Sequence, residues 1–286
     1  MFKFIIIFLS LFFNSQAFAK ETVILTSFYP IHIATMNVVS GIQGIKLVIM
    51  TKPFAGCLHD YALTPKDMIT LSKADYFVVN GLGMESFLNK AMQLQKKLIM
   101  IEASKGITSL IKDSHGDINP HLWPAPTLAI KQVENIASQL GEQLPQYQNQ
   151  FRKNAIEYIK KIETLREKMK KETSSLKTRE FITFHEAFVY FAREFDLKIP
   201  TAIEREPGTE PTAREMAEII KIIKKSSSKV IFTEPQYSPK SAEIIAKASG
   251  ASIYHLDPVV TGEYKKEAYL EIMKLNLATL IKALSK

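Results

Sequence analysis

Short apolar runs rich in β-branched residues alternate with helical segments along almost the whole chain. Runs such as 21–27, 46–50 and 76–80 have the length and composition of buried strands. Because parallel strands need a crossover connection, strands that alternate with helices predict parallel βαβ units. We therefore predict an α/β fold with mostly parallel sheets.

One long helical segment separates the chain into two α/β halves. Its apolar residues recur every three or four positions, while Lys, Glu and Arg crowd its other faces; the apolar set is Phe151, Ala155, Tyr158, Ile162, Leu165 and Met169. The stripe spans too few heptads to favour a coiled-coil dimer. We predict an N-terminal lobe over residues 20–144, a rigid linking helix over 145–178 and a C-terminal lobe over 179–286.

The first 19 residues have the pattern of a secretory signal peptide. Lys3 precedes an apolar run over residues 4–13, and residues 17–19 match an A-x-A cleavage site. The run is about half of the ~20 residues that a membrane span needs. Cleavage after Ala19, with no Cys at that point for lipid attachment, predicts a periplasmic protein whose mature chain has no membrane span.

The composition narrows the choice of partner and of metal ligand. The chain has 286 residues, of which 46% are hydrophobic and 23% charged, and a net charge of +8. Export argues against nucleic acid as a partner, so the basic residues are expected to form solvated surface. The single Cys, Cys57, excludes a disulfide framework and a Cys-rich zinc site. If the chain binds a metal ion, its ligands are therefore expected to be histidine and carboxylate side chains.

Four candidate ligands follow predicted strands. His59, His121 and His185 each lie after a strand in the sequence, and Asp257 directly follows the strand at 252–256. Ligands of open α/β sheets bind beyond the carboxyl ends of the strands. Three imidazoles and one carboxylate gathered there would suit a divalent cation, and three histidines favour Zn(II) over Mn(II).

Several short motifs occur in a fixed order along the chain. They are G-C-L-H-D-Y at 56–61, N-P-H-L-W at 119–123, F-H-E-A-F at 184–188, E-P-Q-Y-S-P-K at 234–240 and L-D-P at 256–258. Together they resemble the zinc- and manganese-binding solute-binding proteins of ABC transporters, the cluster A-I family. The resemblance covers essentially the whole mature chain.

The resemblance implies two lobes bridged by a rigid helix, with a metal bound in the cleft between them. It assigns the metal ligands to His59, His121, His185 and Asp257. Manganese-type members usually carry Glu at the position of His185, so zinc is favoured and manganese is the alternative. We expect a monomer that delivers the metal to the membrane permease of an ABC importer. Many zinc members have a His-rich loop before the second ligand, but here that loop holds only His115.

Two other function classes stay open. His185 and Glu186 begin an H-E-x-x-H metalloprotease motif, but residue 189 is Val, so the motif is incomplete. Four protein ligands would also close the site to a catalytic water, and we expect no enzyme. An exported zinc-dependent hydrolase and an exported adhesin are the alternatives, the second because some family members are associated with attachment.

The remaining polar candidates are expected to have structural or surface positions. His32 and His255 are predicted to pack within the fold rather than bind the metal. A loop that carries Glu204, Glu206 and Glu210 is predicted to be solvated, and a position at the rim of the cleft is the alternative.

Overall fold

The computed structural model describes residues 21–52, 58, 61–88, 91, 95, 97–112, 116–204 and 210–285. The signal peptide predicted at residues 1–19 lies outside these ranges, and so do His59, Cys57, His115 and Glu206.

Strands and helices alternate in the described residues, as the sequence pattern predicts. The strands are β1 (Thr22–Thr26), β2 (Ile45–Ile49), β3 (Tyr76–Val79), β4 (Ile99–Glu102), β5 (Ile182–Thr183), β6 (Val230–Thr233) and β7 (Ser252–His255). The α-helices are α1 (Tyr29–Val38), α2 (Pro65–Lys73), α3 (Pro126–Gln143), α4 (Gln148–Thr173), α5 (Val189–Glu194), α6 (Ala213–Lys225), α7 (Lys240–Ser249) and α8 (Ala268–Leu284).

The strands form two parallel sheets, one in each half of the chain. The N-terminal sheet has four strands in the order β2-β1-β3-β4, and the C-terminal sheet has three in the order β5-β6-β7. Every neighbouring pair in both sheets is parallel. The predicted α/β fold with two lobes and parallel sheets is therefore confirmed.

Strand β5 is shorter than the sequence predicts. Only Ile182–Thr183 pair with β6, whereas the sequence E-F-I-T-F predicts a strand over residues 180–184. On the side away from β6, these residues pair with the segment 198–202 through two isolated bridges only. The bridges join Glu180 to Lys198 and Thr183 to Ala202. Pro200 lies between these bridges and lacks the N–H that a continuous ladder would need.

Capping residues define where helix α2 begins. The Thr64 side chain accepts from the backbone N–H of Asp67, and the Asp67 carboxylate accepts from the backbone N–H of Thr64. Pro65 occupies the first turn, where its missing N–H costs no hydrogen bond. The sequence predicts this start, because Thr64 is a favoured N-cap residue and Pro65 suits the first helical position. The capping box confirms it.

Helix α4 joins the two halves through one continuous hydrophobic core. It has 26 residues and follows a single 3₁₀ turn at Pro145–Tyr147. All six residues of the predicted stripe are buried. The same apolar cluster includes Ile24 of β1, Ile162 of α4 and Val230 of β6. The halves are therefore packed on a common helix rather than hinged at an exposed linker. None of the described helices combines the length and the apolar character needed to cross a bilayer.

Candidate metal centre

Two of the predicted ligands meet at the interface between the halves. His121 lies in the segment between β4 and α3, and His185 lies two residues after the end of β5. Both side chains are buried, and their Nε2 atoms are 3.3 Å apart. The ring centroids are separated by 5.0 Å in an edge-on arrangement.

Asn119 fixes the orientation of the His121 ring. Its Oδ1 accepts from the backbone N–H of His121 at 3.0 Å, and its Nδ2 donates to the carbonyl of Glu186 at 2.9 Å. These two backbone partners determine which amide atom is oxygen. Because Oδ1 also lies 2.9 Å from Nδ1 of His121, that ring nitrogen must carry the proton.

Glu234 has the same role at His185. Its Oε1 lies 2.6 Å from Nδ1 of His185, and its Oε2 accepts from Nε2 of Gln236 at 2.7 Å. Glu234 is buried immediately after β6. A carboxylate in this position holds the proton on Nδ1 and orients the ring, as carboxylates do beside metal-binding histidines.

With a proton on each Nδ1, the Nε2 lone pairs of the two rings point towards each other. Two acceptors at 3.3 Å cannot form a hydrogen bond with each other. The arrangement is satisfied by a proton or a metal cation shared between the two nitrogens. Neutral imidazole nitrogen is a preferred ligand of zinc, so the pair has the chemistry of a metal site.

Buried polar contacts hold the segment that carries His121. Nδ2 of Asn80 donates to the carbonyl of Pro120 at 3.0 Å, and Nε2 of Gln132 donates to Oδ1 of Asn80 at 2.8 Å. The hydroxyl of Tyr190 donates to the carbonyl of Asn119 at 2.8 Å. The segment is therefore fixed from α3 and from the C-terminal half at once.

Asp257 follows β7, as the sequence predicts, and its carboxylate bonds within its own turn. One oxygen accepts from the backbone N–H of Val260 at 2.9 Å, and the other accepts from the Thr261 hydroxyl. Asn276 of α8 holds the backbone of Asp257: its Oδ1 accepts from the N–H, and its Nδ2 donates to the carbonyl. Loss of hydration on burial raises the pKa of the Asp257 carboxyl, and the nearby Glu234 charge adds to this effect.

The structure brings His121 and His185 together but does not gather the whole predicted set. His59 lies outside the described residues. Within those residues, no group of three or more His, Cys, Asp or Glu side chains is arranged to hold a metal ion. The four-ligand set therefore stays a prediction. Sequence reasoning did not assign Asn119 or Glu234, although Glu234 follows a strand just as the proposed ligands do.

Of the other polar candidates, His32 lies where the sequence predicts, whereas His255 and Glu204 do not. His32 is buried in α1, as predicted, with Nδ1 2.9 Å from the Thr26 hydroxyl. His255 is exposed rather than packed, and its Nδ1 lies 2.7 Å from the Thr233 hydroxyl. Glu204 is buried instead of solvated, and its backbone N–H donates to the carbonyl of Phe184 beside β5.

Sequence and structure comparisons identify relatives across nearly the full chain. The High-affinity zinc uptake system protein ZnuA of Bacillus subtilis (strain 168) is 33% identical over 278 residues, which cover 90% of this chain and 86% of that protein. The zinc-binding lipoprotein AdcA of Streptococcus pneumoniae (strain R6) is 30% identical over 288 residues. That match covers 93% of this chain but only 56% of AdcA.

A solved structure with the same fold is the laminin binding protein Lmb of Streptococcus agalactiae, described as a bifunctional protein with adhesin and metal transporting activity. It superposes with a TM-score of 0.83 at 30% identity, covering 92% of this chain and 99% of Lmb. The family described as zinc-uptake complex component A, periplasmic, matches residues 24–283. The chain therefore belongs to this family of periplasmic zinc-uptake component A proteins.

Proposed function

We propose that this protein captures a divalent transition metal, zinc in preference to manganese, and delivers it to the membrane permease of an ABC importer. The observation that carries the proposal is the His121–His185 pair. The two Nε2 atoms face each other at 3.3 Å, and each Nδ1 is held by a hydrogen-bond acceptor. Histidine nitrogens that are oriented in this way through their Nδ1 partners are typical of metal ligands.

The proposed ligand set is His59, His121, His185 and Asp257. Its first three members supply ring nitrogens, and Asp257 supplies an oxygen from a turn at the carboxyl end of the C-terminal sheet. Three nitrogens and one oxygen match the tetrahedral coordination of zinc, whereas Mn(II) prefers more oxygen ligands. The metal is the transported cargo.

Calorimetry with zinc and with manganese tests the site. Alanine variants at each of the four positions are expected to lose zinc affinity, and zinc should displace manganese from the wild type. His255→Ala is the matched control, because it removes an exposed imidazole that is bonded to Thr233. Near-wild-type zinc affinity in His121→Ala and His185→Ala would contradict the proposal.

The proposal includes no catalytic step. Glu186 is the only base that sequence reasoning offers beside His185, and a site closed by four protein ligands leaves no position for an activated water. A zinc-loaded preparation is therefore expected to leave ester, amide and phosphate substrates unchanged. Zinc-dependent hydrolysis that is lost in Glu186→Gln would instead support the hydrolase alternative.

We propose export through a cleaved signal peptide. The mass of the mature protein purified from the producing cell checks this point, because cleavage after Ala19 predicts an N-terminus at Lys20. A lipid adduct or an intact N-terminus would contradict it.

A further inference from the structure

Trp123 connects the segment of His121 to the turn of Asp257. It is the single Trp of the chain and is almost completely buried, with 2% of its surface exposed. Its indole Nε1–H donates to the carbonyl of Pro258 at 2.5 Å, across 135 positions of sequence. One side of this hydrogen bond belongs to the N-terminal half and the other to the C-terminal half.

Aromatic contacts hold the indole in place. The Phe28 ring meets it edge-on with the centroids 4.9 Å apart. The His121 ring lies 5.3 Å from the same indole at a tilt of 52°. Trp123 therefore cannot change its position without disturbing the neighbouring imidazole.

The carbonyl of Pro258, which accepts this hydrogen bond, is also held in place by its neighbours. Pro258 directly follows Asp257, whose backbone N–H and carbonyl are both bonded to Asn276 at 3.0 Å and 2.7 Å. Asn276 is buried in α8. The indole thus binds a fixed point of the C-terminal half rather than a free loop.

We propose that Trp123 is a positioning residue whose indole N–H sets the distance between the segment of His121 and the turn of Asp257. The inference rests on the proposed function, since it concerns how the two halves of that metal site are held in register. A small change in the distance between ligands from different halves would distort the tetrahedral coordination of the bound cation.

The test compares two variants that each remove one hydrogen bond between the halves. Trp123→Phe keeps an aromatic ring but loses the indole N–H. Tyr29→Phe is the control, because the Tyr29 hydroxyl donates to the carbonyl of Glu263 at 2.6 Å and lies in helix α1. Zinc affinity is measured by competition with a chelator, and ligand geometry by the visible spectrum of the Co(II)-loaded protein.

We expect Trp123→Phe to weaken zinc binding by about ten-fold or more and to alter the Co(II) bands, as loss of an orienting partner does in metal sites. Tyr29→Phe should keep wild-type affinity and spectrum at a similar loss of thermal stability. Wild-type affinity and Co(II) spectrum in Trp123→Phe would overturn the inference. If His121→Ala also bound zinc normally, the proposed function would fail as well.

An isosteric replacement keeps the test decisive if the phenylalanine variant does not fold. 3-Benzothienylalanine has the shape of Trp but carries sulfur in place of the N–H, and suppression of a stop codon at position 123 introduces it at that site alone. The same loss of zinc affinity is expected. Unchanged affinity with this residue would overturn the role of the N–H.

Discussion

The Glu234 carboxylate lies 2.6 Å from Nδ1 of His185, and both side chains are almost fully buried. We expect Glu234→Gln to weaken zinc affinity by about ten-fold, because a neutral amide holds the ring less firmly and makes Nε2 a poorer donor to the metal. Competition with a zinc chelator measures the effect.

Glu218→Gln on the exposed face of α6 is the matched control for that change. It replaces the same side chain far from any proposed ligand and should leave zinc affinity within about two-fold of the wild type. Equal affinities in the two variants would show that Glu234 does not act on His185.

Acid should destabilise the metal-free protein through His32. Burial lowers the pKa of His32 to about 4, because the charged ring would lose its hydration. The unfolded chain therefore binds this proton more tightly, and the contribution to stability is lost as the pH falls from ~6.5 towards 4. We expect this group alone to lower the free energy of unfolding by roughly 2–3 kcal/mol over that range.

Urea unfolding between pH 7 and pH 4, with a chelator present, checks the role of His32. His32→Phe should remove this part of the acid sensitivity. Thr26→Val should retain it, because burial rather than the hydrogen bond to Thr26 lowers the pKa. A wild-type pH dependence in His32→Phe would refute the assignment.

Glu85 should stabilise the folded protein at low pH, whereas His32 destabilises it there. Burial raises the pKa of Glu85 to about 7, although the backbone N–H groups of Asn80 and Gly81 donate to the carboxylate and partly oppose the shift. A raised pKa in the folded state stabilises at low pH, and this contribution disappears as the pH rises from ~4.5 through 7. Glu85→Gln cannot ionise, so its free energy of unfolding should decline less between pH 5 and pH 8. The same urea titrations measure it, and an unchanged decline would contradict the prediction.

The common core predicts one cooperative unfolding transition. Ile162 of α4 is 1% exposed within the cluster that includes both halves, whereas Ile156 on the same helix is 57% exposed. We expect Ile162→Ala to lower the free energy of unfolding by about 2–4 kcal/mol. Ile156→Ala should change it by less than about 0.5 kcal/mol. Two separate transitions in calorimetry would contradict a shared core.

Local patterns predicted the parts of the fold that depend on neighbours in sequence. The apolar stripe of α4 and the Thr64 cap of α2 are such features, and the structure confirms both. The position of His121 and His185 after predicted strands also indicated that the two residues would come together. The strand predicted over residues 180–184 is longer than β5, because only Ile182 and Thr183 pair with β6. On the other side, Glu180 and Thr183 form only single bridges, to Lys198 and Ala202.

Contacts between distant residues could not be predicted in the same way. The acceptor of His185 is Glu234, 49 positions away, and the acceptor of Trp123 is 135 positions away. No periodicity or spacing encodes such pairs, because they arise only when the two halves pack together. Glu234 could have been proposed from its place after a strand, but its partner could not.

The hydrophobic cluster that continues through α4 also constrains the order in which the chain can fold. Leu280 and Leu284, near the end of α8, belong to the same cluster as Ile24 in the first strand, β1. A nascent chain that lacks α8 therefore leaves this core incomplete. The folded state therefore depends on the last helix, and the chain can complete its core only after α8 becomes available.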